Sequence, residues 1–161
     1  MKYPAVVVAN EIIKLANAQD IPVSPMKLQK ILYLANGIAW KRLGDKLINE
    51  RFEAWNYGPV VSSVYNSFKT YRGNDIKEPY NDLIHANGFS FIHPSSITVD
   101  DKSLSIIREA WDNAKNLDAF TLSAWSHNKN SPWDKAFNAK PKEPYISDND
   151  IKSYFNDFIP N

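Results

Sequence analysis

The 161-residue chain contains no cysteine. Disulfides, zinc–thiolate centres, iron–sulfur clusters and cysteine nucleophiles are therefore excluded within it. It has only three histidines, His85, His93 and His127, and their positions match no metal-ligand spacing. The sequence signatures of serine hydrolases and P-loop proteins are also missing. From these absences we expect no catalytic residues, no cofactor and no metal.

The chain also lacks an excess of charge and a long apolar run. Its 19 basic and 18 acidic residues give a formal net charge of +1, so no global field attracts nucleic acid or an anionic membrane. No stretch approaches the length of a transmembrane helix, and the apolar run after Pro4 is too short for a signal core. We therefore expect a cytoplasmic protein with no membrane partner and no nucleic-acid partner.

The apolar pattern predicts a mainly α fold: a compact single-domain bundle of about six helices around a central buried helix, about 24–43. Apolar residues cover more than one side of this helix, which is typical of burial between neighbours. Ser24 and Pro25 suit its cap and first position. Gly37 costs about 1 kcal/mol relative to alanine inside a helix, which predicts a close helix crossing at that point.

Residues 53–60, with the sequence EAWNYGPV, predict extended chain, a sharp bend and then a helix. Gly58 can adopt backbone angles closed to other residues, and Pro59 suits the first position of a helix. A small two-stranded β element is expected near 48–54 and 89–92, the two segments pairing with each other. The aromatics at the bend either plug the core or form a site.

Two further classes of function remain as alternatives. One is a small hydrolase or metal-dependent enzyme that uses His127, or His85 with His93. The structural alternative for His127 is a hydrogen bond that ties two short helices together. The other class is a nucleic-acid-binding regulator, which would use the basic residues Lys27, Lys30, Lys41 and Arg42.

Three blocks of sequence carry a resemblance to a known family. The first is PMKLQKILYLA at 25–35, and the second is EAWNYGPVV at 53–61, followed by Val64 and Tyr65. The third consists of Leu122, Ser123, Ser126, His127, Pro132 and Trp133. Together, in this order and spacing, they resemble the Panacea domain family, also called SocA-like antitoxins and phage-associated GepA-type proteins.

The resemblance implies a helical antitoxin domain at 1–140, with 141–161 as a C-terminal helical extension packed on or continuing it. It implies that the protein is not an enzyme and neutralises a cognate toxin protein by direct binding. In some relatives the antitoxin is an adaptor that delivers the toxin to a Clp-type protease. The residues expected to form the structural signature are Leu28, Lys30, Tyr33, Glu53, Trp55, Gly58, Pro59, Val60, His127, Pro132 and Trp133.

Aromatic residues are the expected anchors for the toxin, because tryptophan and tyrosine dominate the energetics of interfaces. The candidates are Trp55, Tyr57, Tyr65, Tyr80, Phe89 and Phe91. The signature block recurs beside different toxins, so recognition of one toxin is expected in the irregular loop after Gly73 or in the C-terminal tail. Lys30 and Glu53 are predicted to form a buried ion pair.

Overall fold

Helices make up most of the protein, as predicted. The computed structural model describes residues 2–86 and 90–161. The α-helices within these ranges are α1 (Ala5–Gln19), α2 (Pro25–Leu43), α3 (Ser62–Phe68), α4 (Asp101–Ala114), α5 (Ala119–Ser126), α6 (Pro132–Phe137) and α7 (Asp148–Phe158). The strands are β1 (Glu53–Trp55), β2 (Gly58–Val60), β3 (Ile84–Ala86) and β4 (Ser90–Ile92). No helix in these ranges has both the length and the hydropathy needed to cross a membrane.

Helix α2 is the centre of the fold, which confirms the predicted central helix. It packs against α1, α4, α5 and α7, and every residue from Lys27 to Ala39 is buried. The Ser24 hydroxyl caps it by accepting a hydrogen bond from the Lys27 amide at 3.3 Å, with Pro25 at the first position. The helix ends at Gly44, whose φ of +73° is the left-handed conformation that glycine adopts without strain.

The close crossing predicted at Gly37 is present between α2 and α7. A Cβ atom on Gly37 would stand 2.3 Å from Cγ of Phe155, a distance that no real contact allows. The Phe155 ring is fully buried against the glycine. Glycine is therefore required because the face of an aromatic ring occupies the space of a side chain.

The predicted pairing of 48–54 with 89–92 is wrong. Strand β1 instead pairs with β2 in an antiparallel hairpin, and β3 pairs with β4 in a second one. Pairing strands that lie next to each other in the chain closes a much shorter loop and costs less entropy. Phe89 itself lies outside the described residues.

Pro59 does not start a helix, contrary to the prediction. It lies in β2 opposite Ala54, and α3 begins at Ser62. The sharp bend lies earlier in the chain, at Asn56 and Tyr57 between the two strands. Gly58, the first residue after the bend, has a φ of +117°. Proline is tolerated here because the strand lies at the edge of a two-stranded sheet, where a missing N–H leaves no partner unpaired.

The C-terminal residues pack against both the hairpin and the central helix. The Ala54 amide donates to the Pro144 carbonyl at 3.0 Å, and the Ile146 amide donates to the Phe52 carbonyl at 2.8 Å. Helix α7 then covers α2 around Gly37. The division at residue 140 stays a prediction.

Candidate partner-binding pocket

A pocket of about 510 Å³ opens between the first turns of α2, the β1–β2 hairpin and α3. Its lining is mainly apolar and includes Met26 from α2 and Val64 and Phe68 from α3. The volume lies in the range of clefts that hold a small ligand or a few side chains of a partner. We call it the hairpin pocket.

Three of the predicted anchor residues, Trp55, Tyr57 and Tyr65, meet at the hairpin pocket. The Trp55 and Tyr65 rings contact edge to face, with centroids 4.8 Å apart. Trp55 is half-buried, whereas Tyr57 is 66% exposed and Tyr65 is also exposed. The rim of the pocket therefore presents aromatic surface to solvent.

The turn that carries these aromatics is fixed to α5 and α6 by hydrogen bonds. Ser123 Oγ donates to the Tyr57 carbonyl at 2.7 Å, and Trp133 Nε1 donates to the Trp55 carbonyl at 2.7 Å. Both acceptors are backbone atoms, so the two aromatic side chains remain available for other contacts. The third signature block thus holds the second block in place.

Lys30 of α2 lines the hairpin pocket and is itself buried. The residue is 1% exposed, and its Nζ donates a hydrogen bond to the Pro59 carbonyl at 3.1 Å. Burial lowers the pKa of Lys30 to about 7, because the charged ammonium loses its hydration. The neighbouring Gln29 joins α2 to the same segment by exchanging two hydrogen bonds with the backbone of Val61, at 3.1 and 2.9 Å.

The predicted ion pair between Lys30 and Glu53 is wrong. Within the described residues Lys30 makes no ion pair, and its hydrogen-bond acceptor is the Pro59 carbonyl. Glu53 is partly exposed and accepts a long, 3.4 Å hydrogen bond from Trp55 Nε1. The Lys30 amine on α2 therefore bonds to the backbone of β2 and forms no ion pair with the Glu53 carboxylate on β1.

Gly58 lies against the Lys30 side chain, which explains its place in the sequence block. A Cβ atom at this position would stand 2.6 Å from Lys30 Cε and 2.6 Å from Ser126 Oγ. Its φ of +117° is also unfavourable for any residue with a side chain. Space and backbone conformation therefore both require glycine at this contact between α2, β2 and α5.

His127 joins α5 to α6 by stacking, and the predicted hydrogen bond is wrong. Its ring lies 3.8 Å from the Trp133 ring at an angle of 18°. Its Nε2 atom is buried and has no hydrogen-bond partner among the described residues. Burial, and then the charge of Lys30, lower the pKa of His127, so the ring is neutral near pH 7. The hydrogen bond between these helices comes from Ser131 Oγ to the Ser126 carbonyl at 2.9 Å.

The other predicted anchors lie away from the hairpin pocket. Tyr80 packs edge to face on Phe68, with centroids 6.0 Å apart, and its backbone exchanges two hydrogen bonds with the Asn10 side chain. Phe91 is exposed on β4 and contacts His85. Phe89 lies outside the described residues. Of the five candidates that the structure describes, three thus lie at the pocket, and Tyr80 and Phe91 lie elsewhere.

The remaining signature residues lie in the core or beside the pocket. Leu28 and Tyr33 are buried on α2, and the Tyr33 ring packs edge to face on Phe155 with centroids 5.3 Å apart. Val60 lines the hairpin pocket, and Pro132 is buried at the start of α6.

The residues of the two alternative functions are not assembled into a site. The described residues bring no three metal-ligating side chains together, and His93 contacts the Asn81 carbonyl at 3.0 Å. The cations proposed for nucleic acid are engaged within the chain: Lys27 donates to the Lys115 carbonyl, Lys41 donates to the Asn156 carbonyl and Arg42 pairs with Glu109.

Two cations at the hairpin pocket were missed by sequence reasoning. Arg72 follows α3 and Lys142 comes from the loop before α7, and both line the pocket while exposed to solvent. The two residues are 70 positions apart, so no local pattern connects them. Ser123 and Ser126 belong to the third sequence block. The contact of the Ser123 hydroxyl with the Tyr57 carbonyl depends on the tertiary packing of α5, which the sequence pattern does not reveal.

Comparisons with known proteins place most of the chain in one family. The family model described as "Antitoxin SocA-like, Panacea domain" matches residues 28–134. Antitoxin SocA of Caulobacter vibrioides (strain NA1000 / CB15N) is 36% identical over 131 residues, a match that takes in 79% of this chain and 66% of the relative. The chain therefore spans just under two thirds of the length of that curated relative. No solved structure matches it. The chain belongs to the family of SocA-like antitoxins that carry the Panacea domain.

Proposed function

We propose that this protein is an antitoxin that neutralises a cognate toxin protein by direct, non-catalytic binding at the hairpin pocket. One observation carries the proposal. In a chain of an antitoxin family, Trp55, Tyr57 and Tyr65 converge on one apolar pocket and leave aromatic surface exposed at its rim.

The construction of the pocket suits it to binding. Interface hot spots are enriched in tryptophan and tyrosine that fill or surround desolvated pockets. The hydrogen bonds to the Trp55 and Tyr57 carbonyls hold the turn before any partner arrives. A preorganised surface loses less conformational entropy on binding, and this favours affinity.

Co-expression with the product of the neighbouring open reading frame tests the proposal. We expect the wild-type protein to restore growth of a host that expresses the toxin, and to co-purify with it. Tyr57→Ala and Tyr65→Ala should weaken both effects at unchanged antitoxin abundance. Phe120→Ala is the matched control, because Phe120 is 79% exposed on α5 and does not line the pocket.

The outcomes separate the alternatives. Loss of rescue with Phe120→Ala and its retention with Tyr57→Ala and Tyr65→Ala would move the interface to α5 and contradict the pocket assignment.

Toxin abundance distinguishes the mechanisms: it stays constant when bound toxin is occluded, and it falls when an adaptor delivers the toxin to a protease. We expect it to stay constant, with a stable complex.

A further inference from the structure

We propose that the hairpin pocket recognises an acidic segment of its partner, in which an apolar side chain is flanked by aspartate or glutamate. This inference rests on the proposed function and specifies the chemistry of the toxin segment. The apolar side chain enters the pocket beside the paired Trp55 and Tyr65 rings, and the flanking carboxylates face Arg72 and Lys142.

The first argument is the sign of the charge around the pocket. Its charged lining residues in the described part of the chain are Lys30, Arg72 and Lys142, all of which carry basic side chains, and no carboxylate lines it. The whole chain has a net charge of only +1, so this is a local concentration of positive charge. Complementary charge across an interface steers association and rejects partners of the wrong sign.

The second argument is that these cations have no acidic partner of their own. Within the ranges 2–86 and 90–161, none of the three forms an ion pair. Lys142 Nζ lies 3.9 Å from the centre of the Phe137 ring, a contact that leaves the charge free to meet a carboxylate. By contrast, Arg42 is already paired with Glu109, at 2.7 Å.

The third argument is Lys30 itself, a buried residue that lines the pocket. An ammonium group carries three donors, and the structure gives Lys30 one acceptor, the Pro59 carbonyl. Burial without a counter-charge disfavours the ammonium form and lowers the pKa of Lys30 to about 7. A carboxylate bound in the pocket would supply the missing negative charge and favour the protonated lysine.

Peptide binding tests this inference independently of the toxin. The probes are nine-residue peptides with a central tryptophan, phenylalanine or leucine flanked by aspartate and glutamate, and matched sets flanked by asparagine and glutamine or by lysine. We expect the acidic set to bind at least tenfold more tightly than the amide set, with a preference that shrinks as salt rises. The indole N–H resonance of Trp55 should shift on binding.

Charge reversal at the rim provides the decisive variants. The double variant Arg72→Glu with Lys142→Glu should lose the preference for acidic peptides and favour the lysine set. Lys102→Glu with Arg108→Glu is the matched control, because both residues are exposed on α4 away from the pocket, and it should retain the preference. If the reversed variant does not fold, Arg72→Gln with Lys142→Gln replaces it and should show no preference.

Equal binding of acidic and amide peptides, no binding by any set, or binding that leaves the Trp55 resonance unmoved would overturn the inference. Its failure is distinct from that of the proposed function. Rescue of growth by a protein without acidic preference would leave the antitoxin role standing, whereas acidic preference without rescue would contradict that role alone.

Discussion

The two halves of helix α2 are buried by different means. Around Gly37 the helix meets α7 by shape, because the Phe155 ring fills the space that a side chain would need. Around Lys30 the helix meets the β1–β2 hairpin through hydrogen bonds. Lys30 bonds to the Pro59 carbonyl of β2, and Gln29 bonds to Val61, the residue after β2. The hairpin pocket lies beside these side chains. We call the Gly37 contact the closed end of α2, because the Phe155 ring fills it, and the Lys30 region the open end, because the hairpin pocket lies beside it.

The two ends differ in the capacity for contacts that their side chains leave unused. A ring packed on glycine excludes water and leaves no group that a partner can reach. A buried lysine with one acceptor has unmet capacity for hydrogen bonds and charge, which is typical of a site. Substitutions at the two ends should therefore have different effects on stability, on pH dependence and on partner binding.

The largest expected effect is at the closed end. Phe155→Ala should lower the free energy of unfolding by about 4 kcal/mol, since it removes a fully buried aromatic ring and leaves a cavity. Gly37→Ala in the wild type should also destabilise, because the overpacking cost of about 1–3 kcal/mol exceeds the gain in helix propensity of about 1 kcal/mol. Urea denaturation measures both values.

The double variant sharpens this prediction. In the Phe155→Ala background the clash is absent, so Gly37→Ala should become stabilising by up to about 1 kcal/mol. If Gly37→Ala destabilises equally in both backgrounds, Phe155 is not the reason for the glycine.

At the open end, Gly58→Ala should lower the free energy of unfolding by about 3 kcal/mol. The substitution combines strain at φ +117° with contact against Lys30 Cε and Ser126 Oγ. Gly73→Ala is the matched control, with nothing within 4 Å of its Cβ position, and should stay within about 0.5 kcal/mol of wild type. Similar losses in both variants would contradict the role of close contact at Gly58.

The pH dependence of stability in the Lys30→Met variant tests whether the buried amine has a lowered pKa. The pKa of Lys30 is lowered to about 7 in the folded protein from an ordinary value of 10.5. Between these pH values the unfolded chain binds more protons than the folded protein, so the lysine makes wild-type stability rise with pH from about 7 to 10.5 and leaves it level below about 7. The difference in unfolding free energy, wild type minus Lys30→Met, should increase by roughly 2 kcal/mol from pH 7 to pH 9.

The range from pH 7 to pH 9 lies above the pKa of His127, which burial lowers from its ordinary value of 6.5. A constant difference between the two proteins from pH 7 to pH 9 would show that Lys30 keeps an ordinary pKa and has a partner for its charge.

The smallest expected effect on stability is that of Tyr57→Ala. Because the ring is 66% exposed and only its backbone carbonyl is used by Ser123, the free energy of unfolding should change by less than about 0.5 kcal/mol. Partner binding should nevertheless weaken, which isothermal titration against the purified toxin measures. A Tyr57→Ala variant that unfolds would place this residue in the architecture of the hairpin.

Local patterns were sufficient for the helices and for the glycine crossing. The predicted cap at Ser24 accepts a hydrogen bond from the backbone amide three residues on, and Asp118, Ser131 and Ser147 make the same contact, because capping depends on neighbours in sequence. The strand pairing, the position of Pro59 and the Lys30–Glu53 pair were mispredicted. The strand pairing and the place of Pro59 follow from the short turn at Asn56 and Tyr57 that joins β1 to β2. The acceptor of Lys30 is a backbone carbonyl 29 positions away, and sequence spacing does not reveal that contact.

The amino-acid sequence by itself determined a mainly helical protein with a central buried helix, and its three blocks identified the family. Their apolar periodicity and caps act over a few residues, so they can be recognised without a fold. Only the tertiary structure decided that Trp55, Tyr57 and Tyr65 share one pocket with Lys30, Arg72 and Lys142. Those six residues come from four separate segments, and they lie together only because packing around α2 brings these segments into contact.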